Sequence, residues 1–431
     1  MKDNIFALRK TSAGLFILCI SGLTLFGQGQ LPPPPGAPGP TMKTLLQVEP
    51  RIDLQNAPAT AVTTTNASNL FIIKAPGSYY LTANITGVSG KNGILIDADN
   101  VTVDLNGFAI EGVEGSVNGI IMAVQYGNLR IHNGSVRRWG GSGIYCAKAN
   151  NSQFDHLRVS FNVLGGLDGG AVSVLSDINA EFNGYFGIVT EVNSMVTNCN
   201  ASSNGSAGIA VNEGSTVTNC VAGGNSSDGI KSYNFCTIKD CTTVGNAFSG
   251  IMAGVASTII GCTASTNTLN GISAGDGSTI SKCAVRENKG DGIHAGPNCH
   301  VSDCAAGING SGTTGSGIAT GIRASISGCT AIGNKADGIV FSGDSFVLNN
   351  HASTNGGAGF HDLGSASRID GNVSRENTGT GILANVADTV VRNNSGANGN
   401  GVANNQYGPT AGANWGPVGI ASSATSPWAN F

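Results

Sequence analysis

Val196-Thr197-Asn198-Cys199-Asn200-Ala201-Ser202-Ser203-Asn204-Gly205-Ser206-Ala207-Gly208-Ile209 is followed at once by a second copy of its own pattern. Val217, Cys220, Asn225, Gly229 and Ile230 stand 21 residues after Val196, Cys199, Asn204, Gly208 and Ile209. Working outward, cysteines recur at 199, 220, 241, 262, 283 and 304, and asparagines at 183, 204, 225, 246, 267, 288 and 309. Gly-Ile pairs begin at Gly187, Gly208, Gly229, Gly250, Gly271 and Gly292, and a β-branched column runs Val196, Val217, Ile238, Ile259, Ile280, Val301. Four columns with one period mark a solenoid.

Apolar residues within a unit sit two apart, the period of a strand, and Gly and Asn interrupt them too often for a helix. Helical arrays are thereby excluded. Leu is too scarce for a leucine-rich repeat, and 21 is not a multiple of the six-residue unit of a left-handed β-helix. The remaining solution is all-β: a single-stranded right-handed parallel β-helix, about 21 residues per coil, with three short strands per coil. About fourteen coils are expected, with Ile, Val, Cys and Ala stacked inward on their own kind. Asn at the turns should form amide ladders.

The pattern loosens at both ends. Asn309 to Asn334 carries a small insertion around Gly312 to Gly317, then Gly338-Ile339, Gly359-Phe360 and Gly381-Ile382 resume. Upstream, Gly143-Ile144, Gly119-Ile120 and Gly93-Ile94 are spaced more widely. The expected organisation is a signal peptide over 1–29, a Pro-rich linker over 30–40 and an N-terminal cap over 41–90. The β-helix follows over 91–405, with a C-terminal cap or tail over 406–431. The signal reading rests on Lys2, Arg9 and Lys10 ahead of the apolar run Ala13 to Phe26, with small Gly27 and Gly29 after it. Cys19 lies inside that run behind bulky Leu18, a poor frame for a lipid anchor. The chain is therefore expected to be secreted, periplasmic or held at the cell surface, with no integral membrane segment once mature.

The 431 residues include 65 Gly, only 11% are charged, and the formal net charge is −4. Hydrophobic residues at 40% suffice for a core. A near-neutral chain has no basic face for nucleic acid. Of the 11 cysteines, ten lie beyond the apolar run. Their columns match the apolar columns, so buried free thiols are expected ahead of disulfides.

Function on such a fold lies on outward columns. The residues after each Gly-Ile (Val189, Ala210, Lys231, Met252, Ser273, His294) are mixed and carry no carboxylate. The column Thr197, Thr218, Lys239, Ile260, Ser281, Ser302, Ser327 is equally bland. The exception is 126–161. Tyr126, Arg130, His132, Arg138, Trp139 and Tyr145 are candidate ligand-binding residues, because aromatic faces flanked by Arg suit a sugar polymer, especially an acidic one. Arg137, Asp155, His156 and Arg158 are weaker catalytic candidates, since a lyase or glycosidase needs paired acids and bases. The competing account is ordinary solvated positions on irregular coils. Asp97, Asp99 and Asp104 could hold Ca2+, although such a run is more often a turn and a strand. No other cofactor is indicated.

Ala98-Asp99-Asn100-Val101-Thr102-Val103-Asp104-Leu105-Asn106-Gly107-Phe108 resembles the opening coil of pectate-lyase-like and periplasmic copper-maturation-type right-handed β-helix proteins. Met42-Lys43-Thr44-Leu45, Val48-Glu49-Pro50-Arg51 and Ser426-Pro427-Trp428-Ala429-Asn430-Phe431 are similar to the ends of uncharacterised exported bacterial members. The resemblance covers nearly all the mature chain and implies the fold. The Asn-Thr-Asp, Asp-Asp and Gly-His-Gly signatures of polygalacturonases are missing, so it implies no catalytic residues. The reading is an exported non-catalytic β-helix, a surface structural or polysaccharide-binding module whose partner is an extracellular polysaccharide or cell-surface component. The alternative is a carbohydrate-active enzyme, a polysaccharide lyase or glycoside hydrolase acting on an acidic polymer. The sequence fixes no oligomeric state.

Overall fold

The computed structural model describes residues 51–312, 315–399, 407–408, 413–417 and 425–430. The expected signal, the linker and the first part of the cap fall on 1–50, outside the described residues. All regular structure described is strand.

Each regular coil has three strands and three corners. Ile188–Thr190 lies on a first face, Met195–Thr197 on a second and Asn200–Ser202 on a third. Each pairs in parallel with its equivalent one coil on, in register: Ile188 with Ile209, Val196 with Val217, Ala201 with Ala222. Among the described residues the first face carries sixteen such strands, from Asn69–Ile73 to Tyr407–Gly408. At one strand spacing per coil the stack is about 70 Å long.

The corners of the regular coils share one device. A residue with left-handed backbone turns the chain, and the next side chain points inward to satisfy the turn. In one coil the pairs are Asn193 (φ 56°) then Ser194, Asn198 (φ 54°) then Cys199, and Ser203 (φ 55°) then Asn204. The three columns become ladders. Asn204 Nδ2 donates to Asn225 Oδ1 at 3.1 Å and to the Ala201-equivalent carbonyl of the preceding coil, Ala180, at 3.0 Å. The Asn ladder runs unbroken from Asn162 to Asn398 through the four-residue insertion. At the Cys corner each thiol lies against backbone carbonyls, as Cys220 Sγ does with Thr218 O at 3.1 Å. All ten described cysteines are free and buried. Beyond Cys329 this column changes to Asn350, Asn372, Asn393 and Asn430, a second amide ladder.

The expected boundary at residue 91 lies inside the stack. Strands Asn69–Ile73, Gly77–Tyr80 and Ile85–Thr86 already pair in parallel with the next coil, because they carry the same inward apolar residues. Only Val62–Thr64, antiparallel to Asn69–Ile73, departs from the ladder there. At the other end Asn414–Trp415 pairs with Thr389–Val391, so Trp415 continues a face.

Candidate functional site

The second and third faces carry the site. In the early coils they merge into long strands, Arg130–Arg137 and Gln153–Ser160, bent at Asn133 (φ 61°) and His156 (φ 54°). Their register aligns Asp104, His132 and Asp155 in one outward column. This is the same column that reads Thr197, Thr218, Lys239 further on.

Each carboxylate in the column is held by arginine. Arg130 grips Asp155 with two hydrogen bonds of 2.9 Å, and His156 Nδ1 lies 3.0 Å from the same carboxylate. Burial works to raise the Asp155 carboxyl, but the bonds from Arg130 and His156 outweigh it and hold it below the usual range. Arg51 pairs with Asp104 at 2.8 Å, and its guanidinium lies over the Tyr80 ring. His132 stands between the two acids, its Nδ1 4.0 Å from Asp104. Burial pulls its imidazole below the ordinary histidine value, against the opposing pull of Asp104, and so favours its neutral form.

On the third face Arg137 and Arg138 both reach Glu111, at 3.1 and 2.6 Å. They outweigh the effect of its burial and lower its carboxyl. Arg158 stands in the next outward column, touching Ser135 at 3.3 Å. Arg51, Arg130, Arg137 and Arg138 thus pair with Asp104, Asp155 and Glu111, and with Arg158 beside Ser135 the arginines here outnumber these three acids in a chain that is acidic as a whole.

Of the binding and catalytic candidates from the sequence, seven therefore gather here: Arg130, His132, Arg137, Arg138, Asp155, His156 and Arg158, with the metal candidate Asp104 in the column of His132 and Asp155. Three do not. Trp139 is a correction: its side chain is wholly buried against the close-set glycines 87, 93, 112 and 119, with Nε1 donating to Ile110 O. The largest side chain fills the space those glycines leave, so it is core and cannot meet a ligand. Tyr145 points outward from the first face, beside Asp168. Tyr126 donates its hydroxyl to Asp97 at the bend between first and second faces. Asp99 accepts from Gly127 N there, so Asp97, Asp99 and Asp104 serve three separate partners. No three His, Cys, Asp or Glu side chains gather to hold a metal among the described residues.

Sequence reasoning missed Arg51, Glu111, Asp168 and the aromatic pair Phe161 and Phe182. Asp168 was legible: Gly166-Leu167-Asp168 is in the frame of Gly187-Ile188-Val189, so a carboxyl does occupy that outward column. Burial, with Glu191 adding, pushes it up to about 7. Phe161 and Phe182 stack at 5.1 Å on the third corner and are half exposed.

Residues 187–306 match the family described as right handed beta helix region. The fold is a right-handed parallel β-helix. None of the curated proteins compared matches this β-helix. Among solved structures it is similar to the A-modules of two Azotobacter vinelandii mannuronan C-5 epimerases, AlgE4 and AlgE6. Each is 14% identical, with TM-scores of 0.48 and 0.49, over 64% and 75% of this chain and 86% and 91% of theirs. The Dettilon tailspike protein is 13% identical over 69% of this chain and 61% of its own, with a TM-score of 0.43. Among the described residues no helix is long and apolar enough to cross a membrane.

Proposed function

We propose that this β-helix is exported, with 1–29 as its address, and binds an acidic polysaccharide on the second and third faces of its early coils without transforming it. The observation that carries this reading is the arginine excess over Asp104, Glu111 and Asp155. The acids are already neutralised internally, and the exposed guanidinium groups of Arg138 and Arg158 present edges that match sugar carboxylates bidentately. The purified mature chain should be retained on immobilised polygalacturonate at low salt and released as salt rises. Arg138→Ala combined with Arg158→Ala should weaken retention. A parent chain that passes through this column and one carrying hyaluronan alike at low salt sinks the reading.

His132 favours a second reading. A neutral imidazole between two aspartates has the protonation state of a general base, and a lyase would use one. Incubation with acidic polysaccharides should release neither unsaturated ends nor reducing sugars. Turnover that disappears in His132→Ala would replace binding with catalysis.

A further inference from the structure

The third corner of the coils next to the arginines carries Phe161 and Phe182, stacked nearly parallel (6°) at 5.1 Å. They are 54% and 52% exposed. Both occupy left-handed corner positions, where a large apolar side chain cannot turn inward and gains nothing from the core. One ring face of Phe182 is covered by Phe161. The corner positions beyond its other face are Ser203, Gly224 and Gly245. A side chain begun at Gly245 would meet nothing within 4 Å. The free ring face of Phe182 therefore looks along roughly 14 Å of corner without bulky side chains, three coils at the strand spacing.

Beside this opening lies a linked polar row on the third face. Asn200 Nδ2 donates to Asn179 Oδ1 at 2.9 Å and to Glu181 Oε1 at 3.1 Å, and Ser202 Oγ donates to Asn200 Oδ1 at 2.8 Å. Arg158, Asn179 and Asn200 share one column on successive coils, so the row is continuous with the arginine cluster. The charge changes along it, from cationic at Arg158 to anionic at Glu181.

We infer that Phe182 is the floor of a subsite for a neutral, hydroxyl-rich pyranose, and that the polymer bound is one in which such a sugar alternates with an acidic one. The inference rests on the acidic-polymer reading above and deepens it. An apolar ring face takes the C–H face of a pyranose, and Glu181, Asn200 and Ser202 offer acceptors and donors for its hydroxyls. The Glu181 carboxylate repels a uronate at this position, and Arg158, two coils from Asn200, attracts one. A polymer of uronates alone meets that repulsion in whichever register it binds.

The test is calorimetric titration with two probes, a hyaluronan oligosaccharide (alternating glucuronate and N-acetylglucosamine) and an oligogalacturonate of equal length. The parent should bind the alternating oligomer more tightly. Phe182→Ala should weaken that binding about tenfold, the size of one aromatic contact, and leave the oligogalacturonate within twofold. Ser203→Phe should do the same by adding a third ring over the free face. Phe161 and Phe182 already adopt this backbone at the same corner, so the fold is kept, and circular dichroism checks it. Equal or weaker binding of the alternating oligomer, or no change in either variant, overturns the inference. If Arg158→Ala alone lowers affinity, the aromatic subsite falls while the acidic-polymer reading stands. If the parent binds neither oligomer, both fall.

Discussion

Between Gly166 and Gly292 successive coils are 21 residues long, whereas between Gly93 and Gly166 they run 26, 24 and 23. The short coils are uniform and their outer columns are bland. The long coils hold Arg130, Arg137, Arg138 and Arg158, the histidine His132, the buried tryptophan and two eight-residue strands; a third such strand, Val174–Glu181, opens the short coils. The difference is physical. A coil of minimal length spends its residues on three strands, three corners and one closing turn, so side chains repeat because neighbouring coils must match. Extra residues relax that matching and let unlike groups become neighbours across the ladder, such as Asp104, His132 and Asp155. The same happens where the repeat loosens again, at 22 residues from Gly359 to Gly381: Asp370 is held by Arg368 and Arg392, with Trp428 against Arg392.

The sharpest way to break this contrast is to remove the core of the long coils. Trp139→Ala should cost about 3–5 kcal/mol and lower the melting temperature strongly, since the packed glycines around it cannot close the cavity. A variant that melts with the parent would return Trp139 to the surface. In the short coils the equivalent lesion is polar. Asn246 donates to Ala222 O and Asn267 Oδ1 and accepts from the Asn225 amide and side chain, all buried. Asn246→Ala should destabilise by about 2–3 kcal/mol in denaturant titration, because those groups are left without partners. An effect near zero would mean that the ladder decorates the coils rather than holding them.

A third test concerns pH at the junction of the two regions. Asp168 is raised to about 7 in the fold, chiefly by burial with Glu191 adding, from 3.8. A carboxyl raised by folding favours the folded chain while protonated, so its share of stability is present at low pH. That share is lost as pH rises through about 7. Asp168→Asn should therefore melt with the parent near pH 4 and above it at pH 8. Parallel melting curves across that range would place Asp168 in water.

Much of the fold was legible because a solenoid states itself many times. The Cys, Asn, Gly-Ile and β-branched columns each gave the same period, and the structure puts each column in register. The site was only partly legible. His132 follows Asp104 by 28 residues and precedes Asp155 by 23, so no fixed period betrays their alignment. Trp139 beside Arg137 and Arg138 reads as a binding aromatic on composition. Its inward turn follows from the corner at Arg138 (φ 60°), after which the next side chain must enter the core as Asn162 does one coil later. Nothing in the sequence marks Phe161 and Phe182 as exposed; the left-handed corner points both outward.

The sequence by itself determined the coil, its period and which residues stack, since equivalent positions meet wherever the spacing is constant. Tertiary structure alone decided which charges pair and which aromatic rings see water. Those depend on alignment between coils of unequal length and on the direction of each corner, and neither is a property of any short stretch of chain.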